Sequence, residues 1–142
     1  MGVLYDYFAA PSDDAAATTV IGGPKRRFPT VQTKSLDPEV VMGQLEELLT
    51  GRAYDDVAED PRWGDGIAIE HEGDVLVLTV TDGLRDGLAA ADDLDEVAVR
   101  WAEVEELDGF DPAVLADILH DLKALAAEAK RNGERLYCWA SV

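Results

Sequence analysis

The chain has 142 residues, 47% of them hydrophobic, with 30 acidic side chains against 12 basic ones and a formal net charge of −18. That size and apolar content support one domain, 1–142, with a core that needs no metal or disulfide staple. A surface so negative excludes phosphate backbones and anionic lipid headgroups as natural partners.

Residues 3–8 read as a short strand of β-formers closed by Pro11, after which Ser12 caps a short helix with Asp13 and Asp14 in its first turn. Gly22-Gly23-Pro24 ends it and opens a loop carrying Lys25-Arg26-Arg27, a solvated basic tip. An extended piece follows over 30–34. Asp37-Pro38-Glu39 then starts a helix running to about Leu49, with Val41, Leu45, Leu48 and Leu49 as its apolar stripe and Thr50-Gly51 as its stop. The polar stretch 54–66 holds at most one helical turn.

Gly73-Asp74 reads as a two-residue turn joining strands 67–72 and 75–81. That turn pairs Glu72 with Val75, His71 with Leu76, Ile69 with Leu78 and Ile67 with Val80. Ile67, Ile69, Leu76, Leu78 and Val80 then share one face. Asp82–Ala91 forms a short helix despite Gly83 and Gly87, and a longer one spans 93–107 with Leu94, Val97, Ala98, Trp101 and Val104 on one side. The 111–132 helix has Asp111-Pro112 at its start, a stripe from Leu115 to Ala129 and Asn132-Gly133 at its end. The closing strand 135–142 is apolar on both faces, which suits the middle of a sheet, with Leu136 and Cys138 toward one layer and Tyr137 and Trp139 toward the other. The expected fold is α+β: a mixed sheet that includes the 67–81 hairpin and the C-terminal strand, with about three main helices packed largely on one face.

The charge is unevenly placed. Residues 35–122 carry 25 acids against Arg52, Arg62, Arg85 and Arg100, a net −21. The densest polar loop holds Asp55, Asp56, Glu59, Asp60 and Asp65, enough oxygen donors for a divalent cation, but without the glycine and glutamate spacing of a calcium loop. Trp63 stands in the same loop as a candidate interface anchor. These six residues are the candidate binding site, read as a solvated loop before a metal centre. His71 falls on the expected inner face of the hairpin, and His120 sits beside Asp117 and Asp121 on the last helix. Neither has a nucleophile placed with it. Cys138 is expected to be a buried, inert thiol, and as the sole cysteine it cannot form an internal disulfide. Gly22-Gly23 and Gly64-Asp65-Gly66 lack the spacing of phosphate loops. No residue is expected to be catalytic, and no metal or cofactor is expected.

The opening Met1-Gly2-Val3-Leu4-Tyr5, the Leu45–Gly51 helix end and the run from Leu122-Lys123-Ala124-Leu125 through Asn132-Gly133 into Leu136-Tyr137-Cys138-Trp139 resemble the YfbM-like family of small bacterial proteins of unknown function. The resemblance implies an α+β fold and transfers no site. The hairpin and the acidic middle depart from it. With no basic leader and no apolar run near the roughly 20 residues that span a bilayer, the expected setting is cytoplasmic, without membrane or nucleic acid. The expected role is that of a non-enzymatic inhibitor, immunity-type or regulatory factor whose anionic centre meets a basic protein. The alternative is a small metal-assisted hydrolase or ligand-binding module using the 55–65 acids with His71 or His120.

Overall fold

The computed structural model describes residues 3–142; Met1 and Gly2, which begin one of the end motifs, lie outside the described residues. The strands are β1 (Leu4–Ala10), β2 (Thr30–Lys34), β3 (Gly66–Glu70), β4 (Val75–Thr79) and β5 (Arg135–Ser141). The helices are α1 (Asp13–Ala17), α2 (Val40–Thr50), α3 (Tyr54–Ala58), α4 (Asp82–Ala90), α5 (Leu94–Trp101) and α6 (Pro112–Arg131), with 3-10 turns at Thr18–Val20, His71–Gly73 and Glu105–Leu107.

One five-stranded sheet runs in the order β2-β1-β5-β4-β3. Every pairing in it is antiparallel, so the fold is α+β as expected but the sheet is not mixed. The reason is connectivity. Each strand re-enters beside its neighbour from the opposite end, and no βαβ crossover delivers a parallel partner. β5 takes the centre because its side chains are apolar on both faces: Leu136, Cys138 and Ala140 join the large core, while Tyr137 and Trp139 join the smaller one.

The large core lies between the sheet and a layer of α2, α4, α5 and α6, into which Tyr7, Leu45, Leu88, Trp101, Leu115 and Leu119 are fully buried. Each such side chain contributes about 1.5–3 kcal/mol by leaving water. The opposite face is covered more thinly. There Phe8 packs on Phe28 and Tyr137, with Ala16 of α1 and Val20 of the following turn completing the layer.

Local signals place most of the helices. The Ser12 hydroxyl accepts from Ala15 N–H at 3.1 Å, and Asp111 accepts from Ala113 N–H at 2.9 Å ahead of Pro112. The Asp37 carboxylate accepts from the N–H groups of Glu39, Val40 and Val41, so it caps the approach to α2 even though regular helix begins only at Val40. The expected 93–107 helix is interrupted: α5 stops at Trp101, and Glu105–Leu107 forms a separate turn. Helices number more than the three expected, because α1, α3 and α4 are genuine short elements.

The hairpin differs in register. Glu70 pairs with Val75 and Ile69 with Leu76, which makes His71–Asp74 a four-residue connection instead of a two-residue turn. His71 (φ 54°), Glu72 (φ 56°) and Gly73 (φ 98°) all take the left-handed region there, whereas Asp74 does not (φ −72°). His71 is therefore exposed in the loop and not on the inner face. A bulge between Gly66 and Ala68 turns Ile67 into the thinner layer. Ile69 keeps the side shared with Leu76 but remains 62% exposed, because it sits on an edge strand beyond the helix layer.

Candidate functional site

The loop acids do not converge. Asp55, Asp56 and Glu59 are exposed on and just after α3, and Asp65 is exposed near the start of β3. Asp60 is committed locally: its carboxylate accepts from Arg52 Nη1 at 3.2 Å and from Arg62 N–H at 2.9 Å. Among the described residues, no three His, Cys, Asp or Glu side chains are grouped so as to hold a metal ion. Trp63 folds back onto the chain. Its Nε1 donates to Glu39 O at 2.8 Å, and its ring meets Tyr54 edge-on at 6.3 Å, both rings lying against Gly43 of α2. His120 faces Asp95 of α5, 3.4 Å away, with both groups exposed.

Two polar arrangements escaped the sequence reading. The first is Glu46, which lies within the apolar face of α2 and is 1% exposed. Thr81 donates its hydroxyl to Glu46 Oε1, and Arg52 Nη1 lies 3.3 Å from Oε2. The signal was an acid beside Leu45 in a stripe position, which charge counting passes over. The second lies at the end of the sheet, where a polar cavity of about 580 Å³ is bordered by Asp13, Asp82, Arg85, Arg135 and Tyr137. The Tyr137 hydroxyl donates to Asp13 at 2.6 Å, and Arg62 Nη1 reaches the same carboxylate at 3.2 Å while its guanidinium lies 5.5 Å from the Tyr137 ring centre. The charges around this cavity are largely spent on one another: Arg135 pairs with Asp82, and Arg85 with Asp86.

The Tyr137 hydroxyl, ahead of the Arg62 charge, holds Asp13 below the usual carboxylate range, and burial with the Asp13 bond pushes the Tyr137 phenol up to about 12. A depressed carboxylate contributes stability that is complete above its unfolded pKa and is lost as pH falls through the folded one. Tyr137→Phe removes the main cause of the depression. Its unfolding free energy should therefore fall less than that of the unmodified chain between neutral pH and about pH 3, as read by urea melts at both. An acid limb of unchanged depth would show that the bond does not couple to folding.

A further set of unpaired acids stands on the helical surface. Between Asp92 and Asp121 stand eleven acids, all exposed, with Arg100 as the only Lys or Arg. The ion pairs of Arg52, Arg62, Arg85, Lys130 and Arg135 go to Glu46, Asp60, Asp13, Asp82 and Asp86, and none of the eleven meets a Lys or Arg among the described residues. The Asp95–His120 contact joins α5 to α6, and Gln44 Nε2 of α2 donates to Glu106 Oε1 at 3.1 Å; the acidic ridge is the set of exposed acids on α5, the Glu105–Leu107 turn and the first half of α6. Exposed charge of one sign attracts and orients a cationic surface.

No helix among the described residues is long and apolar enough to cross a membrane. Comparison with protein-family models, curated proteins and solved structures finds no match to this chain, so the YfbM-like resemblance rests on its motifs alone.

Proposed function

We propose that this chain is a non-enzymatic protein-binding factor, of inhibitor or regulatory type, that recruits a basic partner through the ridge formed by α5, the Glu105–Leu107 turn and the first half of α6. The observation that carries it is the separation of charge roles. Arg52, Arg62, Arg85, Lys130 and Arg135 are held in internal pairs, while none of the eleven acids of 92–121 meets a Lys or Arg among the described residues. Exposed, unpaired charge adds little to folding and much to encounter rate and partner choice. The setting in this reading is the cytoplasm, which suits a lone thiol buried at Cys138.

Binding of Lys- and Arg-rich proteins to the immobilised chain should weaken steeply as salt rises from about 50 to 200 mM, because the Debye length shortens across that range. Glu103→Gln/Glu105→Gln/Glu106→Gln should bind more weakly and with a shallower salt dependence, while keeping the parent melting temperature. Salt-insensitive binding, or an unchanged salt slope in the triple variant, would remove the ridge from consideration.

A further inference from the structure

β2 is an edge strand with regular pairing along its whole length, whereas the other edge, β3, is broken by a bulge. Hydrogen-bonded pairs alternate along an antiparallel ladder. Ser35 N–H donates to Val3 O and Ala9 N–H donates to Pro29 O, which fixes the phase. Val31 and Thr33 share that parity and turn their backbone groups toward β1, so the N–H and C=O groups of Thr30, Gln32 and Lys34 point outward, away from the sheet.

Two cavities run along this open edge between β2 and α6, meeting at Gln32. One, of about 400 Å³, is walled by Leu4, Phe110, Val114 and Ile118. The other, of about 510 Å³, lies beside Thr30–Gln32 and is walled by Asp121, Ala124, Leu125 and Glu128. Val114, Ile118, Asp121, Leu125 and Glu128 recur every three or four residues, so a single face of α6 forms the whole wall. Asp121 and Glu128 have no cationic partner among the described residues.

From this juxtaposition we infer that the partner enters as an extended segment that adds a sixth strand to β2, with apolar side chains against Val114 and Ile118 and cationic ones against Asp121 and Glu128. Main-chain bonds along an open edge supply affinity in such strand addition, and side-chain pockets supply choice. A second copy of this chain is the less suitable occupant, since each copy carries −18 and pairing through β2 would bring two acidic α6 helices together. The inference rests on the ridge reading and shares Asp121 with it, but otherwise concerns the groove between α6 and β2.

Fluorescence anisotropy with two synthetic probes separates them: a Lys-Val peptide of pattern Thr-Val-Thr-Val-Thr-Lys-Thr-Lys, extended by its β-branched residues and turning both its apolar and its cationic side chains to one face, and an Ala-Lys peptide of equal charge and length, which favours helix. The chain should bind the Lys-Val peptide at least about tenfold more tightly. Gln32→Pro, which removes an outward donor at an edge position where proline is tolerated, should abolish that preference. Asp121→Lys/Glu128→Lys should do the same, and decides the matter if the proline variant does not fold. Equal affinity for the two probes, no binding of either, or a preference that survives both variants overturns strand addition. The ridge reading still stands if the triple Gln variant weakens both peptides alike, and falls with it if neither salt nor that variant matters. A dimer of the chain alone that Gln32→Pro returns to monomer in sedimentation would make a second copy the occupant and likewise overturn the proposal.

Discussion

Replacing Trp101 with alanine should lower the unfolding free energy by about 3–5 kcal/mol, the range for removing a fully buried large aromatic. Trp101 is 0% exposed, and its Nε1 donates to Val41 O at 3.2 Å, tying α5 to α2. α5 rests on α6 and α2, and its other buried residues are only Leu94 and Ala98. The indole is thus the main apolar attachment of the helix that carries Asp95 and Glu96 of the ridge. Trp101→Phe separates packing from hydrogen bonding. It keeps much of the ring but leaves the buried Val41 carbonyl without that donor, a loss of about 1–3 kcal/mol. Chemical denaturation of both variants checks this. A cost for Trp101→Ala no larger than the roughly 0.5 kcal/mol of a surface change would contradict the assigned role.

Gly83→Ala should destabilise the chain by about 1–3 kcal/mol, although the same change in an open helix stabilises by about 1 kcal/mol. A Cβ on Gly83 would lie 2.5 Å from Glu46 Oε2 and 3.1 Å from its Cδ. The Glu46 carboxylate has little freedom to retreat, being buried, bonded by the Thr81 hydroxyl and paired with Arg52. Gly87, one turn later, repeats the pattern: its Cβ would lie 2.8 Å from Thr50 Cγ2 and 3.2 Å from Leu49 Cβ. Both glycines let α4 approach α2 closely. A double-mutant cycle supplies the decisive measurement, because in a Glu46→Ala background the obstruction is gone and Gly83→Ala should turn neutral or stabilising. Additivity of the two substitutions would mean that the close approach is not what selects glycine.

The 111–132 helix was legible because cap, proline, apolar stripe, basic last turn and glycine stop are all local and agree with one another. The central place of β5 was legible for a similar reason: a strand apolar on both faces has to be covered on both. The hairpin register was not. Moving the pairing from Ile69–Leu78 to Ile69–Leu76 is a slip of two residues, which by itself leaves side chains on their original side of the pleat, Ile67 at the bulge excepted, so alternation cannot distinguish the two. Gly73-Asp74 then gave a misleading turn, and the β4–β5 pairing together with the bulge at Ile67 selected the other register.

The candidate site divides in the same way. Counting acids located an anionic centre, but Asp55, Asp56, Glu59, Asp60 and Asp65 were singled out because they are adjacent in sequence, and neighbours in a loop need not converge in space. Asp60 is tied to Arg52, and Trp63 is held by Glu39 and Tyr54. A further acidic surface lies on α5, the Glu105–Leu107 turn and α6, where no Lys or Arg pairs with the acids of 92–121 among the described residues.

By itself the order of residues determined the helix and strand types, the two-faced central strand, the large negative charge and the single thiol. Each depends on residue identity or on periodicities of a few positions. Tertiary structure alone decided which acids are paired and which are free, the all-antiparallel order of the sheet, the burial of Glu46 against Gly83, and the open β2 edge beside α6. Those outcomes depend on distances between segments far apart along the chain, and local spacing carries no information about such distances.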